Sequence, residues 1–371
     1  MEHYLDNAAT TRVCPEAAEA ALRAMTDNYG NPSSTHTRGR EARRLLEESR
    51  EAVSQAIGAR SPSEIVFTSC GSESDNWALL SGAESMKRRG KHIISSLVEH
   101  DAVRRSLELL ESRGYSVTRL KPDSTGKIDP AAVAEALRED TVLISLMMVN
   151  NETGAVTDIR AVADILKAAG SCALLHTDAV QAFKKVPFQA RTLGADLISF
   201  SGHKIHAPKG IGALYIRSGL KLKPMIVGGS QESERRAGTE PMPQIAAFAV
   251  ACRQDAMTDR IHSLKQLTIR KLTEAIPELR YLDTDAPHIL SVSMPGWRSE
   301  VLMNHLETKE IYVSKSSACK QGKRSHVLEA LGMRPEVIDG ALRIGLSRYT
   351  TEEDILALAE GLREARALAH R

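Results

Sequence analysis

Short apolar runs alternate with amphipathic stretches over the first two thirds of the chain. Residues 65–68, 92–96, 116–120, 142–149, 173–176, 197–201 and 212–216 have strand length, and several are apolar throughout, as strands buried on both faces are. Helical patterns fill the gaps: 15–27 with Pro15 near its first turn, 38–57, from the 69–76 turn to Met86, 102–112, 130–137 and 159–169. In 38–57 the apolar positions Leu45, Val53 and Ile57 form one stripe, so its many charges are a solvated face. Strand–helix alternation of this kind predicts an α/β fold built on a mainly parallel sheet. A long helix from about Pro243 continues past Arg260. From about Leu282 the texture changes to a smaller α+β pattern: strands near 289–294, 312–314 and 343–347, with helices at 299–307 and 351–369. The expected division is a large domain over 15–257 and a small domain made of 1–14 and 258–371.

Polar motifs recur where the strands end, which is where open α/β sheets bind ligands. Lys204 follows the run 197–201 inside Ser201-Gly202-His203-Lys204, before Pro208 and Gly210, so it sits on a turn. An isolated loop lysine is usually just solvated. Asp178, in His176-Thr177-Asp178-Ala179-Val180-Gln181 after another strand, changes that reading. A carboxylate and a lysine on adjacent strand ends are what pyridoxal phosphate needs, one for its pyridinium nitrogen and one for its aldehyde. Strand 65–68 runs into Ser69-Cys70-Gly71-Ser72-Glu73 and then a helix. That is either a phosphate site of free backbone N–H groups or a simple cap by Ser69 or Ser72.

Charge and cysteine usage narrow the class. The formal net charge of +2 over 371 residues gives no basis for nucleic acid or an anionic membrane as partner. No apolar stretch is long enough to span a bilayer, and the first residues have no apolar signal core, so a cytoplasmic protein is expected. Five cysteines at scattered positions, without metal-ligand spacing, argue against disulfides and against zinc; no metal is expected. Cys319, in a polar loop with Lys315, Lys320, Lys323 and Arg324 nearby, is the candidate reactive thiol.

The order of motifs resembles the class V aminotransferase-like enzymes, and within them the group I type cysteine desulfurases. The matching residues include Leu5-Asp6-Asn7-Ala8-Ala9-Thr10-Thr11, Gly30-Asn31-Pro32-Ser33-Ser34, Glu99-His100, Asn150-Asn151-Glu152-Thr153-Gly154 and 176–181. They continue with His203-Lys204, Gly238-Thr239, Ser317-Ala318-Cys319, Ser325-His326 and Arg343 to Thr351, so the resemblance spans nearly the whole chain. It implies the fold type I of pyridoxal phosphate-dependent transferases, with pyridoxal 5'-phosphate as cofactor. Lys204 would be the Schiff-base lysine, Asp178 the partner of the ring nitrogen, and His100 the residue stacked on the ring and able to move protons. Gln181 and Asn151 would bond the cofactor or substrate. Gly71, Ser72, Ser201 and His203 would hold the phosphate. Thr239 would reach the partner subunit's phosphate, which implies a homodimer. Arg343, with Arg348 as the alternative, would pair with the substrate carboxylate beside Asn31, and Cys319 would be the nucleophile. His36 and His176 read as structural.

The chain departs from the family pattern at Cys70 in the phosphate loop, at Asp75 where Asn is common, and at Ser316 where Gly is usual. The stretch after Cys319 is shorter and basic, and it lacks a proline. The implied reaction is removal of sulfur from L-cysteine to give L-alanine and a persulfide on Cys319, for an acceptor such as an iron–sulfur scaffold protein. The rivals are a selenocysteine lyase or a cysteine-independent C–S lyase on the same fold, and a non-catalytic scaffold.

Overall fold

The structure, a computed structural model, describes residues 2–316 and 324–368. In chain order the elements are β1 (His3–Tyr4), α1 (Pro15–Thr26), α2 (Thr37–Ile57), β2 (Ile65–Thr68), α3 (Gly71–Met86), β3 (His92–Ser96), α4 (Asp101–Ser112), β4 (Ser116–Leu120), α5 (Pro130–Ala136), β5 (Thr141–Ser145) and α6 (Ile159–Ala168). There follow β6 (Leu174–Asp178), α7 (Ala190–Leu193), β7 (Leu197–Ser201), β8 (Gly212–Ile216), α8 (Met242–Arg253), α9 (Thr258–Ala275), β9 (Arg280–Leu282), β10 (Ile289–Ser293) and α10 (Ser299–Glu307). The chain ends with β11 (Ile311–Tyr312), β12 (Ser314–Lys315), α11 (His326–Ala330), α12 (Pro335–Asp339), β13 (Ala341–Gly345) and α13 (Glu352–Leu368).

Seven strands form the central sheet in the order β2-β8-β7-β6-β5-β3-β4. Every pairing is parallel except those made by β8, which runs against both neighbours. The strands β2, β3, β5, β6, β7 and β8 are buried at every position, which is why their sequences are mostly apolar or small on both faces. The crossovers α3, α4 and α6 cover the sheet. Because these strands share a direction, their C-terminal ends carry Cys70, His100, Asn151, Asp178 and Lys204 to one edge of the layer.

A second sheet, β12-β13-β10-β9, is antiparallel and has its own apolar core, formed with α9, α10 and α13 around Leu264, Leu302, Ile344 and Leu358. The N-terminal segment belongs to this side: β1 pairs in parallel with β11, and Leu5 lies in the same core. Asp6 then bridges Gly345. A Cβ on Gly345 would stand 2.4 Å from the Ala8 nitrogen, so only glycine lets the two backbones approach this closely. That crossing delivers Ala8 and Ala9 to the mouth of the large sheet.

Two expectations are corrected. The helix expected to run from Pro243 past Arg260 is two helices. The Asp255 carboxylate takes the Met257 N–H at 2.9 Å and Met257 is left-handed at φ 53°, which turns the chain between them. The strand expected over 142–149 stops at Ser145, because the Met147 N–H turns to the Glu99 carboxylate at 3.1 Å.

Candidate active site

One cavity of about 920 Å³ opens at this edge, between the large sheet and the β12–β13 layer. Lys204, Asp178, Gln181, His100, Asn151, Gly71, Ser72, Ser201, His203 and Arg343 all line it. The sequence thus names most of the wall, from strand ends that are far apart in the chain.

Each group is held by a local device. Lys204 sits on a 3-10 turn directly after β7, and its Nζ donates to the carbonyls of Ala8 at 2.8 Å and Ala9 at 2.6 Å. Asp178 ends β6; its Oδ1 accepts the Val180 N–H at 2.9 Å, and burial raises its pKa. His100 caps α4: the Ala102 N–H donates to its Nδ1 at 3.1 Å, which leaves Nε2 carrying the ring proton and free to face the cavity. Gln181 gives one amide hydrogen to the Ala8 carbonyl at 2.9 Å, and its Oε1 accepts from His288 Nε2 at 3.2 Å, so a second amide hydrogen remains for a ligand.

Arg343 is 2% exposed, in the middle of β13. Its Nη1 donates to the Asn151 carbonyl at 3.0 Å, and its Nη2 to Ser314 Oγ at 2.8 Å and Asp6 Oδ1 at 3.2 Å. Its Nε is buried with no partner among the described residues. Arg348 lies elsewhere: it bonds the Asp255 carbonyl, covers the Tyr349 ring and lines no part of this cavity.

The anion end is built on α3. Its N-cap is Cys70, and no side chain caps the helix, so neither Ser69 nor Ser72 spends the first N–H groups. Glu73 takes the Ser69 N–H at 2.7 Å and pairs with Arg236 at 2.9 Å, which points it away from the cavity. A Cβ on Gly71 would meet Val180 at 2.7 Å, so this turn needs glycine to lie against the β6 loop. His203 Nδ1 lies 3.2 Å from Thr10 Oγ1; burial and nearby Lys204 and Lys209 push its pKa down to about 4, so it is neutral here. These residues could hold a phosphate and an aldehyde on a planar ring: a helix end without a cap, a lysine, a buried carboxylate and a stacking imidazole.

Four buried carboxyl groups line the same cavity: Asp75, Glu99, Glu152 and Asp178. Burial raises all four pKa values, Glu99 to about 8 and Glu152 to about 7; for Asp75 the neighbouring Asp178 adds to the rise. Asp75 Oδ1 stands 3.6 Å from His176 Nε2 but forms no ion pair. Burial lowers the His176 pKa to about 3, and its ring bonds Ser145 and Ser199 instead. His36 caps α2 through the Gly39 N–H. Both histidines are structural, as read from the sequence.

Two expected residues are not in the wall. The family resemblance puts Asn31 beside Arg343. It is instead exposed outside the cavity, its Oδ1 taken by the Ser33 N–H at 2.9 Å, a turn-forming use typical of Asn before Pro-Ser. Thr239 is exposed in a separate groove with Ser69, Arg236 and Glu240. Cys319 lies outside the described residues; the flanking Ser316 and Arg324 line one groove, and Arg324 reaches the main cavity too. The sequence reading missed His288, which orients Gln181, and Lys185, whose buried Nζ has no partner among the described residues. A Lys-Lys pair inside Phe183-Lys184-Lys185-Val186-Pro187 was the only trace of the latter.

The mainly parallel sheet is that of the fold type I transferases, and the lysine and carboxylate at neighbouring strand ends, facing an uncapped helix, fit a phosphate-bearing aldehyde. The chain belongs to the aminotransferase class-V family, whose model matches residues 3–358. It is 41% identical over 365 residues to a cysteine desulfurase IscS of Dictyoglomus turgidum, covering 95% of this chain and 92% of that protein. A solved NifS-like protein superposes with TM-score 0.92 at 36% identity, covering 99% of this chain and all of the other. A structure of SspA in complex with cysteine superposes with TM-score 0.84 at 32% identity, covering 94% of this chain and all of the other.

Proposed function

We propose that this chain is a cysteine desulfurase that binds pyridoxal phosphate in the cavity around Lys204 and passes sulfur from L-cysteine to Cys319. The observation that carries this reading is the meeting of Lys204, Asp178 and Arg343 on one cavity: an amine, a buried carboxylate and a guanidinium with an unused buried Nε. Bound there, the cofactor supplies an aldehyde and a ring that takes up electron density.

The chain's own residues do the rest. Arg343 takes the amino-acid carboxylate through its buried Nε, which has no partner among the described residues. Asp178 would be the group that keeps the ring nitrogen protonated. The Lys204 amine accepts and returns the α-proton, and His100, with its proton on Nε2, would cover the ring face. The Cys319 thiolate attacks the substrate sulfur: an S–S bond forms, the C–S bond breaks, and its electron pair stays with the carbon fragment that becomes alanine. Arg324, five residues after Cys319 in the chain, lines the cavity, and Ser316, three before it, lines the adjoining groove with Arg324, which supports this role. The domain division proposed above, 15–257 against 1–14 with 258–371, places the nucleophile on the smaller unit. We further read the chain as a homodimer in which Thr239 completes the partner's phosphate site, with an iron–sulfur scaffold type of protein as sulfur acceptor.

The test is cofactor loading followed by single turnover with L-cysteine. Lys204→Ala should lose the borohydride-reducible link. Cys319→Ala should still bind cysteine but lose alanine formation by orders of magnitude. Undiminished alanine release by Cys319→Ala would shift the reading to a lyase without a protein nucleophile.

A further inference from the structure

Glu152 is buried on the wall of the main cavity and takes no part in the chemistry just described. Its backbone is rigidly set. Asn150 Oδ1 accepts the Glu152 N–H at 2.9 Å and the Thr153 N–H at 3.0 Å, while Asn150 Nδ2 donates to the Val98 carbonyl at 3.0 Å. Its side chain points to Ser325, whose hydroxyl donates to Glu152 Oε2 at 2.5 Å. Ser325 is the N-cap of α11, and the same oxygen accepts the Leu328 N–H at 3.1 Å. One residue on, His326 Nε2 donates to the Glu99 carbonyl at 3.2 Å, and Val327 enters the core of the large sheet.

The other side of Glu152 leads to the substrate site. The peptide oxygen just before it, on Asn151, accepts Arg343 Nη1 at 3.0 Å. Three links therefore join the guanidinium to the start of α11: Arg343 to Asn151, Glu152 to Ser325, Ser325 to Leu328. The charged groups facing Glu152 are Arg343 on β13 and Asp101 at the start of α4, and His326, Arg324 and Glu329 share the cavity wall. Burial holds the Glu152 pKa up at about 7, while Arg343 and the Ser325 hydroxyl favour its ionised form. An ionised carboxylate is the stronger acceptor for Ser325.

We propose that Glu152 is a positioning residue that ties the start of α11, through Ser325, to the Arg343 end of the site. It rests on the desulfurase reading only in what it would do for turnover. Ser325 lies six residues after Cys319 in the chain, so a loosened anchor misplaces the thiol without touching the cofactor or the substrate clamp.

The experiment compares cofactor-loaded wild type, Glu152→Gln, Glu152→Ala and Ser325→Ala. Amide exchange of α11 is followed with single-turnover alanine release and spectral titration with L-cysteine. Glu152→Ala and Ser325→Ala should lose protection at Leu328 and release alanine about tenfold more slowly or worse, with cysteine affinity within roughly threefold of wild type. Glu152→Gln keeps an acceptor oxygen, so it should restore most of the protection and rate. It should also erase the pH dependence of Leu328 protection, taken relative to the intrinsic exchange rate at each pH, which in wild type falls as pH falls through about 7. Wild-type protection and turnover in Glu152→Ala would overturn the proposal. So would a Glu152→Gln as slow as Glu152→Ala. A wild type that releases no alanine from cysteine but shows the exchange pattern would sink the desulfurase reading and leave the anchor standing.

Discussion

Arg343 and Asp6 form a 3.2 Å ion pair although the arginine comes from the last strand and the aspartate from the first few residues. Asp6 occupies one face of the fork, and Asn151 and Ser314 hold the rest, so the guanidinium cannot swing and its Nε is left for a ligand. Arg343→Ala should raise the apparent Kd for L-cysteine on the order of 100-fold, as loss of a charge-assisted pair does. Arg348→Ala should leave it within a few-fold. Spectral titration of the loaded enzyme checks both, and the reverse ranking would reassign the carboxylate site.

Lys185 supplies a stability prediction with a definite sign. Burial, with Lys204 and Arg343 nearby, pulls its pKa down to about 7 from 10.5. The unfolded chain therefore binds the proton more tightly. Stability is full above pH 10.5 and is lost as pH falls through about 7. Lys185→Met removes a buried amine with no partner among the described residues, so at pH 7 it should unfold with about 1–3 kcal/mol more free energy than wild type, and the gain should shrink toward pH 10. Denaturant titrations at the two pH values, at equal cofactor loading, measure it. A destabilised variant at pH 7 would mean the amine has a partner.

Glu99 acts in the opposite direction. Its pKa rises from 4.5 to about 8 by burial, despite bonds from Ser96 and the Met147 N–H, so the folded state favours the neutral acid. The stability it contributes is full below pH 4.5 and lost as pH rises through about 8. Glu99→Gln keeps an acceptor for both donors and cannot ionise. Its melting temperature should fall less than that of wild type between pH 6.5 and pH 8.5 (roughly the upper half of this window). Parallel curves would show that Glu99 does not titrate in the fold.

Thr239 is the residue that tests assembly. It is exposed beside the phosphate turn, outside its own chain's cavity. If each phosphate site needs Thr239 of a second chain, Thr239→Ala should weaken cofactor retention by about tenfold while the dimer persists by light scattering. A fully active monomer would contradict this.

Much of the site was legible because its chemistry travels in side chains. Asp178, Lys204 and His100 each follow a strand that apolar patterning finds, and each carries a group whose purpose can be named. What was not legible runs through the backbone or through burial. Lys204 is held by the carbonyls of Ala8 and Ala9, and an alanine side chain says nothing about that. Lys185 and His288 look like ordinary polar residues until the fold closes over them. Asn31 carried a suggestive motif, but the turn before α2 uses its amide locally. The α8–α9 break rests on Asp255 and a left-handed Met257, without the Gly or Pro that would have announced it.

The close approach of Gly345 to Ala8 sets the order in which this protein can become whole during synthesis. Ala8 and Ala9 leave the ribosome early, yet their seat is β13, with Arg343 and Gly345, made more than 330 residues later. The large sheet can form first, as N-terminal units generally do. Gln181 and His203 can already hold residues 8–11 against it, and with them the carbonyls that seat Lys204. The guanidinium end arrives only with β13, so the part of the cavity meant for an amino-acid carboxylate is the last to be completed on the nascent chain.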